Sequence, residues 1–313
     1  MTYIGIDIGG TKTAGGIVTE DGAVITRLSL STPVKDGGQA ILDNAIEVAK
    51  RLIEQSKQRV EGIGVGTGGQ IDSDSGVVFS ATAVLPGYCG LKISEGFSNA
   101  LGVSTKTDND VNVLALAEYR FGAARKLSKG TVIFLALGTG VGGAILIDGK
   151  LHYGRTWTGG ELGHIIIDIS QNARKDLGGA KGTLEAYCSG SGLVNTYCEL
   201  TGQKNNNLTG EDIATEAQKD PNDNAVKAIT KTGEYLGYGL ASLANTFDPD
   251  LFVIGGGLAA LGDRLLGPAI KVLKENAMPG PGTCPVVLAE LGNDAAIVGA
   301  ASLVIPNKAR LAL

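Results

Sequence analysis

The chain carries one short pattern twice, and that constrains its fold more than any other feature. Residues 4–23 read IGIDIGGTKTAGGIVTEDGA and residues 133–151 read IFLALGTGVGGAILIDGKL. Each is an apolar run, a Gly/Thr turn, a run of small and β-branched residues, and an acidic-Gly turn. Two β-hairpins can look alike by chance, but the matching order of turn chemistries favours duplication. At 313 residues the chain has the length for two mid-sized halves. Each half opens on a glycine turn of phosphate size, which predicts a ligand gripped between them.

Around the repeats, strand and helix signals alternate, so the class is α/β. Strands are expected at Tyr3–Ile8, Ala14–Val18, Val24–Leu30, Val60–Val65, Val103–Thr107, Val132–Leu137, Ala144–Ile147 and Leu251–Ile254. Ile41, Ala45, Val48 and Leu52 recur at helical spacing and predict a helix over about 38–57. Further helices are expected at Asn109–Phe121, about 184–200, 209–218 and 223–246, then Ala259–Glu275 and Asp294–Val304. Hydrophobic residues at 43% and charged residues at 19% supply packed cores and exclude the disordered and coiled-coil classes. A net charge of −5 with no basic run argues against a nucleic-acid partner. Cys89, Cys188, Cys198 and Cys284 form no C-x-x-C, so neither a zinc finger nor a disulfide framework is expected. The first residues lack a basic region and meet Asp7 at once, unlike a signal peptide. The uncharged run Thr131–Ile147 reads as strand, turn, strand and not as a membrane span. A cytoplasmic location with no membrane partner is therefore expected.

Glycine is the compositional outlier at 48 residues, about twice the average usage of roughly 7%. Its clusters lie beside strands, where bare backbone can approach a ligand. In Asp7, Gly9, Gly10, Thr11, Lys12 and Thr13 an acid ends a strand, glycines expose N–H groups, and hydroxyls and a lysine follow. That set suits a nucleotide phosphate, with Asp7 holding a hydrated Mg²⁺. It is not a P-loop, because a strand follows; an ordinary hairpin turn is the alternative. Gly138, Thr139 and Gly140 form the matching turn of the second half. Gly138, Gly140 and Gly143, like Gly64, Gly66 and Gly69, spell G-x-G-x-x-G. No helix follows either, so a dinucleotide-binding unit is not supported. Gly255, Gly256 and Gly257 end a strand and could lie against adenine or ribose. Asp110 opens a helix behind Asp108 and Asn109, either of which can cap it. Its place at the positive helix end makes it a candidate proton acceptor. Glu161 and His164, with Glu185 soon after, suit polyol binding. Trp157 is either core or a sugar platform.

Together these residues resemble the ROK family of sugar kinases and sugar-responsive repressors, over essentially the whole chain. DIGGTKT at 7–13 looks like the first phosphate motif, LGTGVGGAILIDGKLHYG at 137–154 like the second, and GGELGH at 159–164 like the core of the family signature. The resemblance implies the duplicated ribonuclease-H-like fold of actin and hexokinase, two lobes around a cleft. Residues 1–109 with 293–313 would form the small lobe and 110–292 the large one. It implies Asp110 as catalytic base, with Asn109, Glu161, His164 and Glu185 on sugar hydroxyls and Gly68-Gly69 approaching the sugar by backbone. Three departures stand out. The zinc motif C-x-C-G-x-x-G-C-x-E of many members is replaced over 176–185, with Asp176, Gly178 and Thr183 at the cysteine positions, so no structural zinc is expected. The Asn-Leu-Pro-Gly-Trp segment of glucose-type members appears as Val84-Leu85-Pro86-Gly87-Tyr88, and Trp157 stands where a small residue is usual.

The expected activity is ATP- and Mg²⁺-dependent phosphorylation of a sugar hydroxyl, O6 of glucose or a related hexose. An amino or N-acetyl hexose, or fructose, is the alternative acceptor, and a non-catalytic sugar-binding regulator the alternative class. The repressor branch carries an N-terminal helix-turn-helix, for which a strand starting at residue 3 leaves no room. A homodimer is expected.

Overall fold

The computed structural model describes residues 1–81, 85–204, 207–219 and 223–306; Val84 of the segment above lies outside them. Strands β1 (Thr2–Ile8), β2 (Lys12–Thr19) and β3 (Val24–Ser31) run as an antiparallel meander. Then come helix α1 (Gly38–Gln55), β4 (Val60–Thr67), a small hairpin of β5 (Gln70–Asp72) and β6 (Val77–Ser80), α2 (Ile93–Leu101), β7 (Thr105–Asn109) and α3 (Asp110–Arg120). The second repeat gives β8 (Thr131–Leu137), β9 (Val141–Ile147) and β10 (Lys150–Leu151). Helices α4 (Leu184–Cys188), α5 (Gly190–Thr201), α6 (Gly210–Glu216) and α7 (Asn224–Phe247) follow, then β11 (Leu251–Gly255), α8 (Asp263–Asn276), β12 (Val286–Leu288) and α9 (Ala295–Ser302).

The two main sheets share one topology. The first has the order β3-β2-β1-β4-β7 and the second β10-β9-β8-β11-β12. In both, a hairpin is extended by two parallel strands: β4 on β1 and β7 on β4, then β11 on β8 and β12 on β11. Ile8 pairs with Thr13 and Leu137 with Val141, so the two glycine turns close the corresponding hairpins. The repeat seen in the sequence is a repeat of structure.

Two compact units result. One holds Met1–Ser128, Gly149–Gly159 and the described residues from Glu290; the other holds Lys129–Asp148 and Gly160–Ala289. The family resemblance implies boundaries at 109/110 and 292/293; in the structure α3 packs against α9, and residues 110–128 group with the first unit. In that unit β1 is buried almost throughout, and β3 at the edge alternates from residue to residue. Ile41, Ala45, Val48 and Leu52 of α1 cover one face with Ile4, Ile6 and Ile8. On the other, Ile297 and Ala301 of α9 meet Tyr3 and Val18. The helix comes so close that a Cβ on Gly5 would lie 1.9 Å from the Ile297 carbonyl oxygen, and one on Gly64 1.7 Å from that of Ala300. Only glycine permits that approach. In the second unit Ile133, Leu135 and Phe252 pack with Leu236 and Leu240 of α7 and Leu265 and Leu273 of α8.

Most expected elements are present, with local corrections. The helix expected over 184–200 is two, because Ser189 breaks off and caps α5, its Oγ accepting from the Gly192 N–H at 3.1 Å. The helix expected from Ala259 starts at Asp263, after a 3₁₀ turn over Gly257–Leu261 and a left-handed Gly262 at φ 56°. Among the described residues no helix is long and apolar enough to cross a membrane.

Candidate active site

In the first unit, the β1–β2 turn is braced from beneath. The Gly9 N–H donates to the Lys12 carbonyl at 3.1 Å, and the Thr32 hydroxyl donates to the Gly9 carbonyl at 2.7 Å. Thr13 is fully buried, its hydroxyl 3.0 Å from that of Thr32. Thr13 therefore supports the turn from below, while Gly10, Thr11 and Lys12 stand exposed on top. Asp7, one residue before the end of β1, is pushed up to about 6 by burial first and by the charge of Asp110 second, with Lys12 opposing. The two carboxylates thus sense one another.

Asp110 is the first residue of α3. Asn109 caps the helix, its Oδ1 accepting from the N–H groups of Val111 at 2.8 Å and Asn112 at 3.2 Å. Its amide Nδ2 donates to the Gly69 carbonyl at 2.9 Å, which draws the Gly68-Gly69 turn to the head of the helix. The side chain expected on a sugar hydroxyl is thus engaged in the scaffold. Asp110 Oδ1 accepts from the Val111 N–H at 2.9 Å. A Cβ on Gly68 would come within 3.9 Å of its Oδ2, so that face of the carboxylate adjoins bare backbone. Burial raises the Asp110 pKa, opposed by its backbone hydrogen bonds. Such a carboxylate is a better base than an exposed one. Trp157 belongs to this unit, its ring 5.5 Å from that of Phe79 and its backbone in the left-handed region at φ 57°.

In the second unit, Gly138 and Thr139 line a cavity of about 920 Å³. Gly190 and Ser191 at the N-terminus of α5 line it too, and the Gly190 N–H donates to the Gly138 carbonyl at 2.8 Å. A glycine turn and a helix N-terminus on one wall suit an anionic group. Val194, Leu208 and Leu258 supply apolar wall, Gly257 a bare stretch of backbone, and Glu211, Gln218 and Arg264 polar groups. Gly255 and Gly256 do not line the cavity; they pack against Phe134 and Leu137. Sequence reasoning missed α5 and α6 as walls, although Ser189-Gly190-Ser191 is a helix-start signal. Glu185 lies against the second turn. Its Oε2 accepts from the Val141 N–H at 2.9 Å, and a Cβ on Gly140 would stand 2.4 Å from that oxygen.

Glu161 and His164 flank a single 3₁₀ turn over Leu162–His164, and both are exposed. His164 Nδ1 lies 3.4 Å from Asp176 Oδ2. The same carboxylate accepts from the Thr183 hydroxyl at 2.9 Å and from the Ala180 N–H at 2.9 Å. At the zinc-cysteine positions the chain thus has an engaged carboxylate, a glycine and a hydroxyl that donates to the carboxylate. No thiolate is present there, and the segment does not fit a zinc ion. Among the described residues no group of three or more His, Cys, Asp or Glu is arranged to hold a metal.

The sequence pattern of the ROK family matches residues 3–307. The chain belongs to the ROK family. It is 30% identical to a glucokinase of Halalkalibacterium halodurans, covering 96% of this chain and 94% of the relative. It is 31% identical to an N-acetyl-D-glucosamine kinase of Vibrio cholerae, covering 96% and 99%. Among solved structures, a ROK glucokinase of Streptomyces griseus in complex with glucose and AMPPNP superposes with a TM-score of 0.78 at 31% identity, covering 97% and 99%. The duplicated, two-lobed actin-type fold of ROK hexokinases is therefore the fold of this ROK protein.

Proposed function

We propose that this ATP-dependent sugar kinase transfers the γ-phosphoryl group of ATP to O6 of a neutral hexose, glucose first. The observation that carries the reading is Asp110: a carboxylate of raised proton affinity at a capped helix N-terminus, beside the bare backbone of Gly68. It takes the proton of the sugar hydroxyl as that oxygen attacks the γ-phosphorus in line. Gly9, Gly10, Thr11 and Lys12 on one turn and Gly138, Thr139 and Gly140 on the other hold phosphates. The cavity beside Gly257 takes the nucleoside. Mg²⁺ arriving with ATP would neutralise phosphate charge; Asp7, buried near Asp110 and only partly offset by Lys12, suits a hydrated cation. Glu161, His164 and Glu185 accept from sugar hydroxyls, a set that favours a neutral polyol over a sugar phosphate or acid.

A glucokinase and an N-acetylglucosamine kinase stand at nearly equal identity, so an N-acetyl hexose is the second acceptor reading. Trp157, whose ring lies 5.5 Å from that of Phe79, would either stack on the sugar ring or exclude an acetyl group. The test is kcat/KM, by coupled ADP release, for glucose, mannose, fructose, glucosamine and the two N-acetylhexosamines. Glucose is expected to rank first. If all six are inactive while a sugar phosphate or sugar acid turns over, the acceptor reading falls.

A further inference from the structure

Two residues before Asp110 lies a buried carboxylate that the mechanism leaves idle. Asp108, 1% exposed, is the next-to-last residue of β7. It accepts three hydrogen bonds from three separate donors. The Asn109 N–H donates at 2.7 Å, Asn112 Nδ2 in the first turn of α3 at 2.8 Å, and the Tyr153 hydroxyl at 2.7 Å. Burial and the neighbouring Asp108 push the Tyr153 phenol up, so it keeps its proton and stays a donor. Tyr153 arrives on the Gly149–Gly159 segment, more than forty positions beyond Asp108 in the chain.

The bonds converge on the head of α3. Asn112 is held twice, its N–H by the Asn109 cap and its side chain by Asp108. Asn109 is held by Asp108 through its N–H and by Gly69 through its amide. Asp110 lies between these two residues. A buried carboxylate keeps its place only while donors satisfy it. Without the phenol, Asp108 has lost one of three donors and loosens its grip on Asn112 and Asn109. A displacement of about 1 Å in a reacting group can cost up to about 100-fold in rate.

We propose that Tyr153, acting through Asp108 and Asn112, is a positioning residue that sets the orientation of Asp110. The inference rests on the reading of Asp110 as the base. Tyr153 and Asp108 lie on the wall of a cavity of about 570 Å³, with Lys106, Lys150, Ser73 and Asp74, so removing the phenol oxygen creates no clash.

The test is steady-state kinetics of Tyr153→Phe, Asp108→Asn, their double variant and Asp110→Asn, with thermal unfolding of each. Tyr153→Phe is expected to lower kcat about 10-fold, leave both KM values within about twofold, and barely move the unfolding midpoint. In the Asp108→Asn background the same change is expected to have less than about a twofold further effect, because the path is already cut. Should Asp108→Asn not fold, Asn112→Ala interrupts the same path one bond later. A merely structural tyrosine would lower the unfolding midpoint and leave kcat of the folded protein unchanged; that result overturns the inference. Independent, multiplying effects of the two substitutions overturn it as well. If Asp110→Asn is inactive and Tyr153→Phe is normal, only this inference falls. If Asp110→Asn turns over like the wild type, the base reading falls and takes the inference with it.

Discussion

Asp7 is expected to link stability and activity in opposite senses. Its carboxyl titrates near 6 in the folded chain against an ordinary value of 3.8. Between those values the folded state holds the extra proton, so stability falls as pH rises through the window and levels off above it. At neutral pH the buried charge costs about 2–3 kcal/mol by that difference. Asp7→Asn is therefore expected to raise the unfolding midpoint by a few degrees at pH 7.5, with the gain shrinking towards pH 4. Turnover moves the other way, because the neutral amide does not offset a cation: a loss of at least about 100-fold in kcat is expected. Melting curves at both pH values beside kcat check this, and a lower midpoint at pH 7.5 would contradict it. The motifs of the candidate site were readable because each pairs a chemical group with glycine or a helix start. Their partners were less readable. Nothing in the string Thr-Asp-Asn-Asp says that Asn109 spends its amide on Gly69, or that Thr13 turns under its own turn. Those facts depend on contacts 40 and 19 positions apart.

At the scale of elements, long amphipathic segments were legible and short edge pieces were not. α1 showed its helical period plainly, since one face of it is buried. The β5–β6 hairpin, α2 and β12 escaped notice. Strands of three or four residues hold too few positions for an alternation to stand out. The second glycine turn was legible as a turn, but its contact with Glu185 from α4 was not. That contact gives an element-level prediction. Gly140→Ala would place a methyl 2.4 Å from Glu185 Oε2, so turn and carboxylate must separate. Binding of a non-hydrolysable ATP analogue, followed by calorimetry, is expected to weaken about 10-fold with the fold intact. Unchanged affinity would remove the Gly138–Gly140 turn from the nucleotide site.

For the whole molecule, duplication was the most legible property, since both halves kept the same order of turns over more than a hundred intervening residues. The course of the chain was harder to read. Residues 149–159, which include β10, fall in the first unit, and the described residues from Glu290 return to it much later in the sequence. No local pattern encodes such a return. It also sets an order of assembly. The face of β1 and β4 that carries Gly5 and Gly64 is covered by the backbone of α9. α9 follows β1 and β4 in chain order, so these strands are made before the helix that covers them, and Tyr3 and Val18 wait uncovered until it is made. The first unit is thus completed only once the segment from Glu290 has been made. A chain halted after Glu290 is expected to leave β1 open to amide exchange and limited proteolysis. Adding back residues 291–306 within the same chain is expected to restore protection of β1.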